Sequence, residues 1–424
     1  MYNLFKLNNG LRVVVENIEY VNSVSVGLWV ENGSRNENIT SSGISHFIEH
    51  MLFKGTCDRT AKQIAEAIED VGGQINAFTG REATCFYIKA LDTHLELSLD
   101  ILSDMIFNSN LSEDDIEKEK GVIVEEINMS EDSPEDVLAD LHTKAIWGTD
   151  SISLPILGTI DTVKSFSRKM IADYIDSHYI PENSVISISG KFDMRMIESL
   201  VEKYFGKWRC KDKNITKYSS PEILNQHYFR KKDIEQFHVS LGIPGVGLGN
   251  DDTYTLILLS NILGGGASSR LFQKIREELG LCYSIYCYIS TFKNTGVVSV
   301  YAGLSPMNVE VAINAIKEEV SKFAKLGIDN ETLSKAKEQL KGSYILGLES
   351  TSSRMFSNGR SVMFMNKINT PEDVLRKINE IDMERVNSVM QKTFEKGIIN
   401  SAYVGKEKEM LKKVFKGNII SMDK

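Results

Sequence analysis

The sequence predicts an α+β protein built from two tandem homologous domains, each a mainly antiparallel β-sheet covered by α-helices on one face. Three observations lead there. A chain of 424 residues is too long for one comfortable core. The order of strand and helix signals in the first half recurs in the second at a near-constant offset. Within each copy, strands joined by hairpins are mixed with pairs of helices, the pattern of an antiparallel sheet with helices laid on it.

The elements follow in order. Val24, Val26, Leu28 and Val30 alternate with smaller or more polar neighbours, the period of a half-buried strand, and Phe237, Val239, Leu241 and Ile243 repeat it. A glycine-containing turn and a helical stretch come next, Ser42 to Phe53 in one copy and Thr253 to Leu263 in the other, about 211 to 213 residues apart. Then come a second helix (Arg59 to Val71, Ser269 to Leu279) and a hairpin rich in aromatic and β-branched residues. Amphipathic helices are predicted at Leu95 to Asn108 and Val309 to Leu326, and again at Ser112 to Met129 and Asn330 to Leu346. Each copy closes on a strand ending in glycine, SVISISG at Gly190 and INSAYVG at Gly405. The polar stretch KDKNITKYSSP lacks periodicity and ends in a helix breaker. It divides the chain into an N-terminal domain, 1–212, a linker, 213–222, and a C-terminal domain, 223–424.

Composition narrows the function. Hydrophobic residues at 42% and charged residues at 25% are those of a folded soluble protein. A formal charge of -9 with no Lys/Arg run argues against nucleic acid as a partner. No apolar run is long enough to span a bilayer, and the N-terminal stretch has no charged region followed by an apolar one, so a cytoplasmic protein with no membrane attachment is expected. Five cysteines (Cys57, Cys85, Cys210, Cys282 and Cys287) have no CxxC pairing and read as buried reduced thiols.

The chemistry concentrates in SHFIEHMLFKG. His46 and His50 stand four apart and project from one helical face, where two imidazoles can share a zinc ion. Glu49 lies on the same rim, in the inverted HxxEH order, within reach of a water at an open coordination position. Catalytic zinc wants a third protein ligand. The downstream helix carries Glu119 and Glu126 seven apart on one face; Glu126 is the chosen third ligand and Glu119 a carboxylate that orients a ligand. The apolar neighbours Val122, Ile123 and Ile127 favour Glu126, since a carboxylate near the core gains from a metal partner. Two histidines and a glutamate on one helix also occur as an ordinary surface face. Against that reading, the duplicated positions hold Ile257, Ser260, Asn261 and Tyr344, so the ionisable cluster belongs to one copy alone. The remaining histidines, His94, His142, His178, His227 and His238, show no paired spacing and read as structural.

In GISHFIEHMLFKGT, GGQINAFTGREATCFY, EKEKGVIVEEI and SRLFQKIREELGLCYS the chain resembles the pitrilysin and insulinase superfamily of zinc peptidases, and the likeness covers nearly its whole length. The likeness is strongest to the mitochondrial processing peptidase branch and its single-gene bacterial relatives. The resemblance implies one Zn2+ per chain held by His46, His50 and Glu126, Glu49 as the base, and Glu119 as a further acid. It implies Asn76 and Ala77 on a substrate-edge strand, and Arg276 and Tyr283 as a pair that holds the substrate or the tetrahedral intermediate. It also implies a clamshell of two halves enclosing short unstructured peptides. Such a chamber needs four domains, hence a homodimer, or a heterodimer with a related subunit. The superfamily also contains non-catalytic assembly subunits, and a peptide-binding module that does not cleave is the other rival.

Overall fold

A computed structural model describes residues 1–209, 215–411, 414 and 419–422. The start of the expected linker and Cys210 lie outside the described residues. Packing divides the chain into two compact units: 1–128, 154–217 and 345–370 form the first, and 129–153, 218–344 and 371–424 the second.

The first unit is built on strands β1 (Tyr2–Lys6), β2 (Arg12–Asn17), β3 (Ser23–Val30), β4 (Gln74–Thr79), β5 (Thr84–Leu91) and β6 (Ser184–Gly190). They lie in the order β1-β2-β6-β3-β5-β4, antiparallel except for the β2–β6 pair. Helices α1 (Ile44–Leu52), α2 (Ala61–Glu69), α3 (Leu95–Phe107), α4 (Glu113–Asp132), α5 (Pro134–Trp147), α6 (Ile160–Ser165), α7 (Arg168–His178) and α8 (Ile197–Phe205) follow through the same half of the chain. The alternation that predicts β3 puts Val24, Val26, Leu28 and Val30 into one core with Phe47, Ile48 and Met51 of α1 and Leu99 and Leu102 of α3.

The second unit repeats the arrangement. Strands β7 (His227–Lys231), β8 (Phe237–Pro244), β9 (Cys282–Phe292), β10 (Thr295–Leu304), β11 (Asn400–Gly405) and β12 (Ile419–Ser421) lie in the order β12-β7-β11-β8-β10-β9. Each strand from β2 to β6 thus has a counterpart at the same place in the second sheet. The outer strand differs, because β12 runs parallel to β7 whereas β1 runs antiparallel to β2. The helices in this half of the sequence are α9 (Thr253–Gly264), α10 (Val309–Leu326), α11 (Asn330–Gly347), α12 (Thr351–Met365), α13 (Pro371–Asn379) and α14 (Met383–Lys392), of which α12 belongs to the first unit. The helix expected at Ser269 to Leu279 is a shorter π-helical stretch, Phe272–Glu278.

Where the sequence predicts helices on one face only, the opposite faces are covered too. In the first unit α12 lies over the polar side of β3 and β6, with the Ser25 and Thr351 hydroxyls 2.9 Å apart and the Ser187 hydroxyl donating to the Met355 carbonyl at 2.8 Å. Small residues make this possible: a Cβ on Gly27 would sit 2.3 Å from the Met355 sulfur. In the second unit α5 occupies the same place, packing Leu138 and Leu141 on Tyr301, Ala402 and Val404. Each sheet therefore carries a helix from the other half of the sequence.

Two smaller expectations are corrected. Cys85 and Cys287 are buried free thiols, but Cys57 is exposed on the turn after α1 and Cys282 is half-buried. Ile123 and Ile127 of α4 are buried, whereas Val122 is 50% exposed, because it shares the helix face of Glu126 one turn away. Among the described residues no helix is long and apolar enough to cross a membrane.

Candidate metal centre

Helix α1 is anchored by its apolar face, Ile44, Phe47, Ile48, Met51 and Leu52, which drives into the core and leaves His46, Glu49 and His50 along the opposite rim. Helix α4 is held the same way by Ile116, Ile123 and Ile127. The seven-residue spacing then aligns Glu119 and Glu126 along one side, facing α1.

The result is a triangle of donors. Nε2 of His46 and Nε2 of His50 each lie 3.6 Å from the same Glu126 oxygen, Oε2, and the two rings are 4.6 Å apart between centroids. One donor atom from each residue lies within 4.8 Å of the other two. Ligands about 2.0–2.2 Å from a tetrahedral zinc sit about 3.4 Å apart, so the two separations from the Glu126 oxygen are close to what one such ion requires. Two imidazoles and a carboxylate are also the donor set of a catalytic rather than a structural zinc.

The supporting charges prepare these ligands. Glu119 is only 3% exposed; its Oε1 accepts from Nδ1 of His50 at 2.7 Å and its Oε2 pairs with Lys54 Nζ at 2.6 Å. That bond assigns the proton of His50 to Nδ1 and leaves the Nε2 lone pair turned toward Glu126. Burial pushes the Glu119 carboxyl up, but hydrogen bonds from His50 and Lys54 outweigh it and hold the group below the ordinary glutamate range. Burial, reinforced by repulsion from His50, lowers His46 to about 4, so its imidazole is neutral and free to donate a lone pair at neutral pH.

Glu49 accepts a short hydrogen bond from the Thr79 hydroxyl at the end of β4. Burial raises its pKa, opposed by the Thr79 bond and by His50, while Glu126 adds to the rise. A half-buried carboxylate with raised basicity beside a metal-type triangle is placed to accept a proton from a water held there.

Asn76 and Ala77 lie on β4, the edge strand of the first sheet, and the Asn76 side-chain oxygen accepts from the Ala77 N–H at 2.8 Å. Arg276 and Tyr283 belong to the second unit, where they meet: the guanidinium lies 5.0 Å from the Tyr283 ring centre and 4.6 Å from that of Phe272. Tyr283, on edge strand β9, is 77% exposed. The other histidines sit elsewhere. His142 bonds Ser240 and Asn400, His178 stacks on Tyr174, His227 bonds Ser401, His238 bonds Tyr301, and His94 lies in a short turn before α3. The duplicate positions carry no donor cluster; Ser260 instead donates to the Cys287 sulfur.

Sequence reasoning missed Thr79, Lys54 and Glu37. Lys54 had a signal, four residues after His50. Thr79 lies two residues beyond Ala77 and so shares its face of β4, but the direction of that face is set by the sheet. Glu37 has no periodic relation to α1 at all.

Comparison with known proteins identifies the family. Residues 12–160 match the family model described as insulinase (peptidase family M16), and residues 165–340 match that of the peptidase M16 inactive domain. An uncharacterized zinc protease of Bacillus subtilis is 41% identical over 93% of this chain and 96% of its own length. Another from Mycobacterium leprae is 39% identical over 92% and 88%. Among solved structures, a protease from Helicobacter pylori aligns with a TM-score of 0.89 at 23% identity, covering 96% of this chain and 99% of that one. A peptidase M16 inactive domain from Pseudomonas fluorescens aligns equally well, at 0.89 and 17% identity over 96% and 98%. A two-sheet α+β fold, a donor triangle on the first unit and relatives this similar over almost their full length lead to one conclusion: the chain belongs to the insulinase (M16) family of peptidases.

Proposed function

We propose that this protein is a zinc-dependent endopeptidase that hydrolyses short, unstructured peptides, with His46, His50 and Glu126 as the metal ligands. The observation that carries the reading is the convergence of these three donors beside Glu49. Zinc, when bound there, supplies a Lewis acid that acidifies water and polarises the scissile carbonyl. Glu49 takes the proton of the attacking water and returns it to the leaving amine nitrogen. Thr79 occupies one oxygen of Glu49 and leaves the other for that transfer. Glu119 keeps His50 in the tautomer that offers Nε2. The outer edge of β4, at Asn76 and Ala77, offers main-chain groups to an extended peptide, which favours unfolded substrates whatever their side chains. Arg276 and Tyr283 are assigned to the developing oxyanion, for which a guanidinium and a phenol are suitable donors.

We also assign the protein to the cytoplasm, working as a homodimer. The rival is a non-catalytic subunit, and one solved relative is titled an inactive domain. That description matches residues 165–340 here, while the donor triangle lies within 12–160, the part matched by the insulinase model. Glu49→Gln tests the assignment, because it keeps shape and removes the base. The expected outcome is unchanged zinc content with turnover of a quenched peptide abolished; near-parental activity would remove Glu49 from the mechanism.

A further inference from the structure

Helix α1 carries both histidines and the proposed base, yet it begins without a cap of its own. Its N-cap residue is Gly43, at φ +92°, and a Cβ there would lie 2.6 Å from the Leu157 carbonyl oxygen and 2.8 Å from Gly158. A serine, threonine or aspartate therefore has no room at this position, and the first N–H groups of the helix need another acceptor. Glu37 provides it from outside the helix. Its Oε2 accepts the Gly43 N–H at 2.7 Å and its Oε1 the Ser45 N–H at 2.8 Å. The carboxylate is 5% exposed. Ser45 is fixed further, because its hydroxyl accepts from Asn32 Nδ2 at 3.0 Å while the Asn32 side-chain oxygen accepts from Tyr174 of α7 at 3.0 Å.

We infer that Glu37 is a positioning residue for the metal centre: its two-pronged cap fixes the rotation and height of α1, and with them the approach of His46 and His50 to Glu126. The inference rests on the zinc reading above. Two bonds at separate points of the first turn hold the helix against sliding and turning together, which a single cap does not. His46 follows Ser45 directly, so a small rotation there moves Nε2 away from Glu126. Burying a carboxylate is costly, and here burial raises Glu37 to about 7 even though the Gly43 and Ser45 N–H groups and the Ser45 hydroxyl pull it down. A neutral cap would avoid that cost. The titratable groups that couple to it are the Tyr174 and Tyr179 phenols, both raised mainly by burial, so neither adds charge near neutrality.

Glu37→Gln is the test, at pH 8 where the parent carboxyl is ionised. Glutamine keeps one acceptor oxygen and turns an NH2 group toward the other helix N–H. Zinc affinity is read by chelator competition, alongside the thermal midpoint of the metal-free protein. The expected result is a loss of affinity of about tenfold, the lower end of the range for residues that orient ligands. The metal-free variant should remain folded at the assay temperature. Glu37→Asp keeps the charge but shortens the reach, so it should fall between parent and Gln; it also serves if the Gln variant does not fold. Unchanged affinity in a folded variant overturns the inference while parental zinc binding leaves the metal centre intact. A parent that binds no zinc overturns the function reading instead.

Discussion

Removing the Glu119 carboxylate should weaken zinc binding by an amount that depends on what replaces it. In the intact protein one oxygen takes the Nδ1–H of His50 and the other the Lys54 ammonium, both as short charge-assisted bonds. Carboxylates that support a liganding histidine are worth ~10–100-fold in metal affinity, or ~1.4–2.7 kcal/mol. Glu119→Gln retains an oxygen for His50 and loses the charge, so about tenfold is expected. Glu119→Ala loses both and leaves Lys54 beside His50 with no intervening negative charge, so the loss should approach about a hundredfold. Adding Lys54→Met to the alanine variant should then recover part of the affinity, because the unpaired cation is removed. Chelator competition on the metal-free proteins measures all four forms, with thermal midpoints recorded to separate lost affinity from lost fold. Alanine and parent proteins binding zinc within about twofold of one another would refute the account, since no network effect smaller than that is meaningful here.

Glu126→Gln should lose or strongly weaken zinc binding, measured by metal content after dialysis; a variant that keeps zinc as tightly as the parent places the third ligand elsewhere, with Glu119 the next to examine. His142 is fully buried and lowered to about 4 by burial, only partly offset by its bond to Asn400, so the folded protein refuses a proton that the unfolded chain accepts near 6.5. The unfolded state thus binds more protons between these values, and stability is whole above pH 6.5 and lost as pH falls toward 4, by on the order of 3 kcal/mol. Urea unfolding of His142→Gln should show that slope flattened, and an unchanged slope would clear His142 of the effect. Mixing Glu49→Gln chains with chains carrying Arg276→Ala and Tyr283→Phe should restore up to about half the parental activity per mixed dimer if the pair acts across subunits; verified mixed dimers as inactive as either parent would show that it acts within its own chain.

The sequence by itself determined the repeat, because burial of one face writes a period into the residues. Val24 to Val30 and Phe237 to Ile243 are strands for that reason, and the helices at Leu95–Phe107 and Val309–Leu326 end within a residue or so of where three-and-four spacing stops. It also indicated His46, Glu49, His50, Glu119 and Glu126, whose relation depends only on the pitch of α1 and α4. What helical pitch cannot carry is the distance between two helices. The approach of His46 and His50 to one oxygen of Glu126 was decided by how both helices pack on the same core. Thr79, Lys54 and Glu37 reach the site through a sheet edge, the end of a helix and a loop, none of which has a period to read. That each sheet takes a helix, α12 or α5, from the other half of the sequence was hidden for a related reason. A small or polar strand face, such as Ser25 and Gly27, looks the same in sequence whether water or a closely packed helix lies against it, and only the tertiary structure decides which.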